Sequence, residues 1–158
     1  MEQVSDILNS SLAEEEKLRR ALDAAVRLVE AEAGALFLAS PDGTLSLSAL
    51  GGERAAGLTA LHSTVAAGVH RTGQAVLITQ GRQDPRLVAG QGWQAALSVA
   101  SLVSVPVRMG ARAVGVLEVV NRRSGKPFSN WDVLELASLS NQFGLAIDNL
   151  RRGSGVRA

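Results

Sequence analysis

Apolar residues recur at two periods along this chain, and the changes of period mark its elements. Leu18, Leu22, Ala25 and Val29 follow one another at helical spacing, with Arg19, Asp23, Arg27 and Glu30 on the opposite face. Ser11 and Glu14 stand at capping-box spacing ahead of this helix, and Gly34 is placed to end it. Val4, Ile7 and Leu8 predict a short amphipathic lead-in helix within residues 1–12. The stretch "ALFLASPDGTLSLSALGG" reads as two short strands about a Pro-Asp-Gly turn. Leu58, Leu61, Val65 and Val69 return to helical spacing over residues 55–71, and "QAVLITQ" reads as a strand after the break at Gly73. Residues 81–101 hold three glycines and a proline, then a predicted helix around Trp93 to Val99.

The pattern is clearest from Trp131 to Arg152. Ser129 and Asp132 form a second capping-box pair, and Phe128 and Val133 stand at the positions of a hydrophobic staple. Leu136, Leu139, Phe143, Ile147 and Leu150 make one apolar stripe, and Leu134, Ala137 and Leu145 a thinner row opposite, interrupted by Asn141. The tail "GSGVRA", residues 153–158, reads as a frayed end.

Between the undecided stretch and this helix lies "LVSVPVRMGARAVGVLEVVN", a valine-rich hairpin with one carboxylate, Glu118. A two-residue turn at Gly110-Ala111 pairs Val107 with Val114, Val105 with Val116 and Val103 with Glu118. Glu118 then shares a face with Val103, Val116 and Val120, and a buried carboxylate needs a partner or a proton. The hairpin is apolar on both faces, so neither is solvated. The whole order predicts an α+β domain over residues 13–152, a central antiparallel sheet with helices on both faces and the N- and C-terminal helices packed together on one side.

Composition narrows the chemistry. The chain has 158 residues, enough for one domain with a core, and 46% of them are hydrophobic. Its formal net charge is +1, with basic residues scattered, so no footprint for nucleic acid or an anionic membrane is expected. The absence of cysteine removes disulfides, thiolate metal sites, thiol nucleophiles and cysteine-linked chromophores. No apolar run approaches the ~20 residues of a membrane span. A soluble cytoplasmic protein is expected.

The stretch "SLVSVPVRMGARAVGVLEVVNRRSGKPFSNWDVLELASLSNQFGLAIDNLR" resembles the GAF domain family. A serine precedes a Val-Pro-Val strand, a Gly-Val-Leu strand ends in Asn, and Phe and Asp lead into a long terminal helix. "AAGVHRTGQAVLITQGRQDPRL" resembles the family's middle section, and the likeness spans Ala13 to Arg152. It implies a GAF/PAS-like fold and a regulatory, bacterial-type signalling role. Many GAF domains bind cyclic nucleotides, tetrapyrroles or metabolites under their middle helices, while others serve as dimerisation pieces. Asn121, Arg122, Phe128 and Asp132 resemble the Asn-Lys-Phe-Asp-Glu signature of cyclic-nucleotide-binding members. Arg122 replaces the lysine and Val133 the final glutamate, so a loop-closing Arg122–Asp132 contact is the preferred reading. Free-standing members include free methionine sulfoxide reductases, which work through cysteines; this cysteine-free chain is read as a non-enzyme, standing alone as a single domain.

For a ligand pocket the candidates are Gln80, Asp84, Trp93, Ser101, Ser104 and Glu118. Trp93 is either a stacking surface or a helix anchor on the sheet. Glu118 is either a ligand residue or a structural acid paired with an arginine, the latter preferred. His62 and His70 are expected to be partly buried, hydrogen-bonded residues rather than haem ligands. Ala100 stands where the family often has Arg or Lys, which argues against an anionic ligand in that pocket. Two functional readings follow. In one, a small molecule bound beneath residues 81–101 reorders that cover and shifts the terminal helices. In the other, the chain is a ligand-free dimerisation or docking module, with Val4, Ile7, Leu8, Leu134, Ala137 and Leu145 as a homodimer interface. Both leave room for a signalling partner, and the ligand's identity stays open.

Overall fold

The computed structural model describes residues 3–9, 13–55, 58 and 60–156, with backbone alone for 150–156. The chain runs α1 (Val4–Leu8), α2 (Glu14–Leu28), β1 (Ala31–Ala39), β2 (Leu45–Gly51), α3 (Thr64–Thr72), β3 (Val76–Ile78), β4 (Leu102–Met109), β5 (Arg112–Arg122) and α4 (Asn130–Val156). The five strands form one antiparallel sheet in the order β2-β1-β5-β4-β3.

Each helix end has a local cause. Helix α2 begins after Ala13, and its first turn carries Glu14, Glu15 and Glu16 at the positive end of the helix dipole. Ser11, the expected cap, lies outside the described residues. The helix stops at Leu28, earlier than Gly34, because Glu30 takes φ 58° and turns the chain directly into β1. Gly34 is instead a strand residue where α2 presses on the sheet: a Cβ there would lie 2.6 Å from Val26 Cγ2. Helix α3 is shorter than its apolar spacing predicted. Ser63 caps it by accepting from the Ala66 N–H at 3.0 Å, and Gly73 ends it at φ 72°. Leu58 and Leu61 precede it in irregular chain. The expected helix from Trp93 to Val99 is a 3-10 turn, Gly92–Ala95, entered through left-handed Gly90 and Gly92. Asp132 caps α4 as expected, accepting from the Ser129 N–H at 2.8 Å. The helix then continues past Arg152 to Val156.

The valine hairpin turns at Gly110-Ala111 as its sequence predicts, with Met109 opposite Arg112. Its register differs by one residue. Arg108 faces Ala113 but Val107 faces Gly115, so Val114 is an extra residue in β5, a bulge. From there Ser104 lies opposite Glu118 and Pro106 opposite Val116, where the two-residue turn alone had placed Val103 and Gly115. A one-residue slip exchanges the faces. Val103, Val105, Val107, Leu117 and Val119 face a core with α1, α2 and α4, closed by Leu136, Phe143 and Ile147. Leu102, Val116 and Val120 face the other core, with Phe37, Val65, Val69 and Trp93. Glu118 lies on this second face with Val116 and Val120.

Filling the contact at Gly34 overpacks the α2–sheet interface. Gly34→Val is expected to destabilise the fold by about 1–3 kcal/mol, read as a lowered urea midpoint with the slope unchanged.

Candidate functional site

Glu118 is fully buried in the middle of β5, and its carboxylate accepts two hydrogen bonds from elements that cover the sheet. The indole Nε1–H of Trp93 donates to Oε2 at 2.9 Å, and the Ser63 hydroxyl donates to Oε1 at 3.1 Å. Ser104 stands directly across the ladder, buried, with its hydroxyl outside hydrogen-bond geometry. No arginine reaches the carboxyl among the described residues; the expected ionic partner is replaced by neutral donors. Burial pushes the Glu118 carboxyl above its ordinary range, and the pull of Trp93, Ser63 and Ser104 in the other direction only partly offsets this.

The two donors belong to different covers. Ser63 caps α3, so one hydroxyl both starts that helix and holds it to the sheet. Trp93 is the anchor of the 3-10 turn in residues 81–101, and it packs with Val65, Leu97 and Val99. Gly92 brings this turn against the chain before α3, where a Cβ would lie 2.7 Å from the His62 carbonyl oxygen. A cavity of about 40 Å³ remains beside Trp93 and Ser63, rimmed by His62, Arg86, Leu87 and Gln91.

Of the six sequence-predicted ligand residues, Trp93, Ser104 and Glu118 therefore converge. Asp84 lies in an Asp-Pro-Arg turn, where the Arg86 guanidinium, at 2.7 and 2.9 Å, holds its carboxyl below the usual carboxylate range. Gln80 is exposed at the start of the cover. Ser101 belongs to a separate cluster built by Asn121. That residue takes φ 57°, a conformation asparagine tolerates. Its Oδ1 accepts from the backbone N–H groups of Ala100 at 2.7 Å and Ser101 at 3.4 Å. Its Nδ2 donates to the Ser98 carbonyl at 2.8 Å and to Glu32 Oε1 at 3.0 Å. The preferred Arg122–Asp132 contact does not form among the described residues: Arg122 reaches Glu30 at 3.6 Å, and Asp132 is engaged by Ser129. Ser63 and the bridging role of Asn121 escaped sequence reasoning. Ser63 falls inside the helical spacing of residues 55–71, so nothing in the sequence marked it as a cap.

Contrary to expectation, His62 is exposed ahead of α3, and His70, half-buried on it, has an Nδ1 with no hydrogen-bond partner among the described residues. Among the described residues no group of three or more His, Asp or Glu is arranged to hold a metal ion, and no helix is long and apolar enough to cross a membrane.

This architecture and its covered sheet face agree with the sequence comparison: the GAF domain family model matches residues 11–148. The chain belongs to the GAF domain family. No curated protein sequence matches it. Among solved structures it is similar to the A. aeolicus nlh2 GAF domain in an inactive state, at 17% identity and TM-score 0.74, covering 94% of this chain and 92% of that one. It is also similar to residues 122 to 287 of a methyl-accepting chemotaxis protein, at 20% identity and TM-score 0.73, covering 97% and 99%. A third likeness is to the free methionine-R-sulfoxide reductase from Neisseria meningitidis, at 16% identity and TM-score 0.73, covering 95% and 87%. At these identities the likeness shows the fold, which serves sensor and signalling proteins and at least one enzyme.

A carboxyl that keeps its proton more readily in the native state supports folding at low pH, and that support is lost as pH rises through its native pKa. Glu118→Gln removes the titration. Its loss of one acceptor oxygen gives a constant offset, so the slope is the readout. Relative to wild type, the variant is expected to gain stability as pH rises above the ordinary value of 4.5, at up to about 1.4 kcal/mol per pH unit while the wild type holds its proton. Urea unfolding from pH 4 to 9 measures this; parallel profiles would show that Glu118 titrates as in the unfolded chain.

Proposed function

We propose that this chain is a non-catalytic sensor module of a signalling system, with its small-molecule site on the sheet face under residues 81–101. The observation that carries the reading is the pairing of a fully buried carboxyl with a donor from that cover, Trp93 Nε1 to Glu118 at 2.9 Å. A purely structural core has no need of this group, because desolvating a carboxyl costs more than packing an aliphatic side chain. The cover itself is weakly built, two 3-10 turns and largely exposed chain, the kind of segment that opens locally.

The geometry also sets conditions on the ligand. About 40 Å³ is room for a water molecule, whereas ligand pockets run from about 300 Å³ upward. Binding therefore requires Trp93 to withdraw, and the ligand must replace its hydrogen bond to Glu118. That favours a small molecule with an amine, amide or hydroxyl donor and an apolar body, over a cyclic nucleotide. In this reading the absence of cysteine sets the chain apart from thiol-based sulfoxide reduction.

Trp131, the second tryptophan, is exposed, so Trp131→Phe leaves Trp93 as the sole fluorophore. Native mass spectrometry of the freshly purified protein is expected to reveal a small-molecule adduct. Adding that compound back should red-shift Trp93 emission in the Trp131→Phe protein and leave the Glu118→Gln variant of it unchanged. A protein free of adduct, whose Trp93 emission no metabolite pool alters, would reject the sensor reading.

A second reading, homodimerisation, is favoured by α4. Trp131, Leu134 and Leu145 are 73%, 65% and 56% exposed, and with Ser138 and Asn141 they follow a 3-4-3-4 spacing. That is the seam of a two-helix contact. The rest of the expected interface is used within the chain: Val4 and Ile7 are buried in the core, and Leu8 and Ala137 pack against it. Leu134→Glu with Leu145→Glu is expected to halve the mass in multi-angle light scattering; a wild type already monomeric at micromolar concentration would remove this reading.

A further inference from the structure

Away from the Glu118 site, a cleft of about 300 Å³ opens where β5 ends, and it shares no lining residue with the cavity beside Trp93. Four cations from four separate segments line it. Arg54 comes from the 3-10 turn after β2, Arg82 from the cover, Arg122 from the end of β5 and Lys126 from the loop before α4. One lining carboxylate, Glu32, is half-buried and engaged by Asn121. Among the described residues no carboxylate pairs with Arg54, Arg82 or Lys126, and Arg122 meets Glu30 at a long 3.6 Å. The buried Nε–H of Arg122 makes no hydrogen bond among the described residues. Around it lie the hydroxyl-bearing Ser98 and Ser101.

Four cations converging on a concave surface repel one another, which costs stability unless an anion is shared between them. Guanidinium groups present paired donors that match phosphate oxygens, and an ammonium adds a point charge. We infer that this cleft binds a small phosphate-bearing molecule, its phosphate held between Arg82, Arg122 and Lys126. Ala100, which stands where the family often has Arg or Lys, lines this cleft; the charge here comes instead from residues remote in sequence. It also joins the cover to the sheet. Arg82 donates to Ser98 at 3.3 Å, and Asn121 holds the Ser98–Ser101 segment, so a phosphate spanning Arg82 and Arg122 ties the cover down at this end. The binding step does not depend on the sensor reading of the Glu118 site.

Isothermal titration calorimetry tests this with sodium pyrophosphate and, separately, ribose 5-phosphate, at ionic strength held constant with potassium chloride. Saturable one-to-one binding is expected for at least one of them. Tighter pyrophosphate binding would assign the site to free inorganic anions, and tighter ribose 5-phosphate binding to an organic phosphate. Arg122→Gln and Lys126→Gln should each weaken it about tenfold. Lys126 is exposed in a loop, so its variant should keep the wild-type circular dichroism spectrum and thermal midpoint. Arg112→Gln, at the distant hairpin turn, should leave affinity unchanged. Heats that never saturate, or an equal loss in all three variants, would overturn the inference.

Discussion

The extra residue in β5 decides which side of this sheet can carry chemistry. Without Val114 the strand would enter the ladder one position earlier, and Glu118 would face α2 and α4 among aliphatic side chains. A carboxyl there would meet no donor and would have to be lost or neutralised. With the bulge, Val103, Val105 and Val107 of β4 stay with the helical layer, and the carboxyl goes with Val116 and Val120 to the side where Ser63 and Trp93 can reach it. The helical layer is closed and apolar, whereas the opposite layer is thin and partly polar. Which of these two layers receives the carboxyl follows from a single unpaired position.

Neutral donors suit that openable side better than an arginine would. A buried carboxylate–guanidinium pair locks its elements together, because separating them strands a charge in low dielectric. An indole and a hydroxyl hold the carboxyl by hydrogen bonds that survive its protonation, and that a ligand's own donor can replace. The raised proton affinity of Glu118 is the counterpart of this arrangement: no cation fixes its charge, so burial sets it.

Much of the fold was legible because it rests on period. The strands, the lead-in helix, the capped terminal helix and the antiparallel order follow from alternation, capping residues and turn chemistry, all local signals. The failures share one cause. Val114 is as apolar as its neighbours, so nothing marks it as the bulge, and one such residue exchanges every later partner. Leu58 and Leu61 keep helical spacing because apolar spacing reports contact with a core, and both pack half-buried against it from chain that is not helical at either residue. At the site, Trp93, Ser104 and Glu118 were found by type, a stacking ring and polar groups in an apolar setting. Gln80 and Asp84 have the right chemistry but lie in exposed chain or a self-contained turn. Val4 and Ile7 illustrate the reverse error: an amphipathic helix at a chain end reads as surplus surface, yet here it seals its own domain's core. The basic cleft was invisible, since Arg54, Arg82, Arg122 and Lys126 meet through topology alone.

The cover is fastened at two places of different character. At Trp93 one buried side chain enters the core and bonds a carboxyl. At Ser98–Ser101 a left-handed asparagine takes the backbone groups of the segment itself, with three bonds of 2.7 to 3.4 Å to Ser98, Ala100 and Ser101. Main-chain anchoring of this kind tolerates side-chain rearrangement nearby but not displacement of the chain. On the proposed sensor reading the segment moves at the tryptophan while staying fixed at the asparagine, and the β5–α4 connection leaves from the fixed end. Any shift of Trp93 is levered about Asn121, next to the residues that begin the route to α4, the helix whose exposed seam faces outward. Arg82 and Arg122 flank that pivot, so charge bound between them would stiffen it without touching the buried carboxyl.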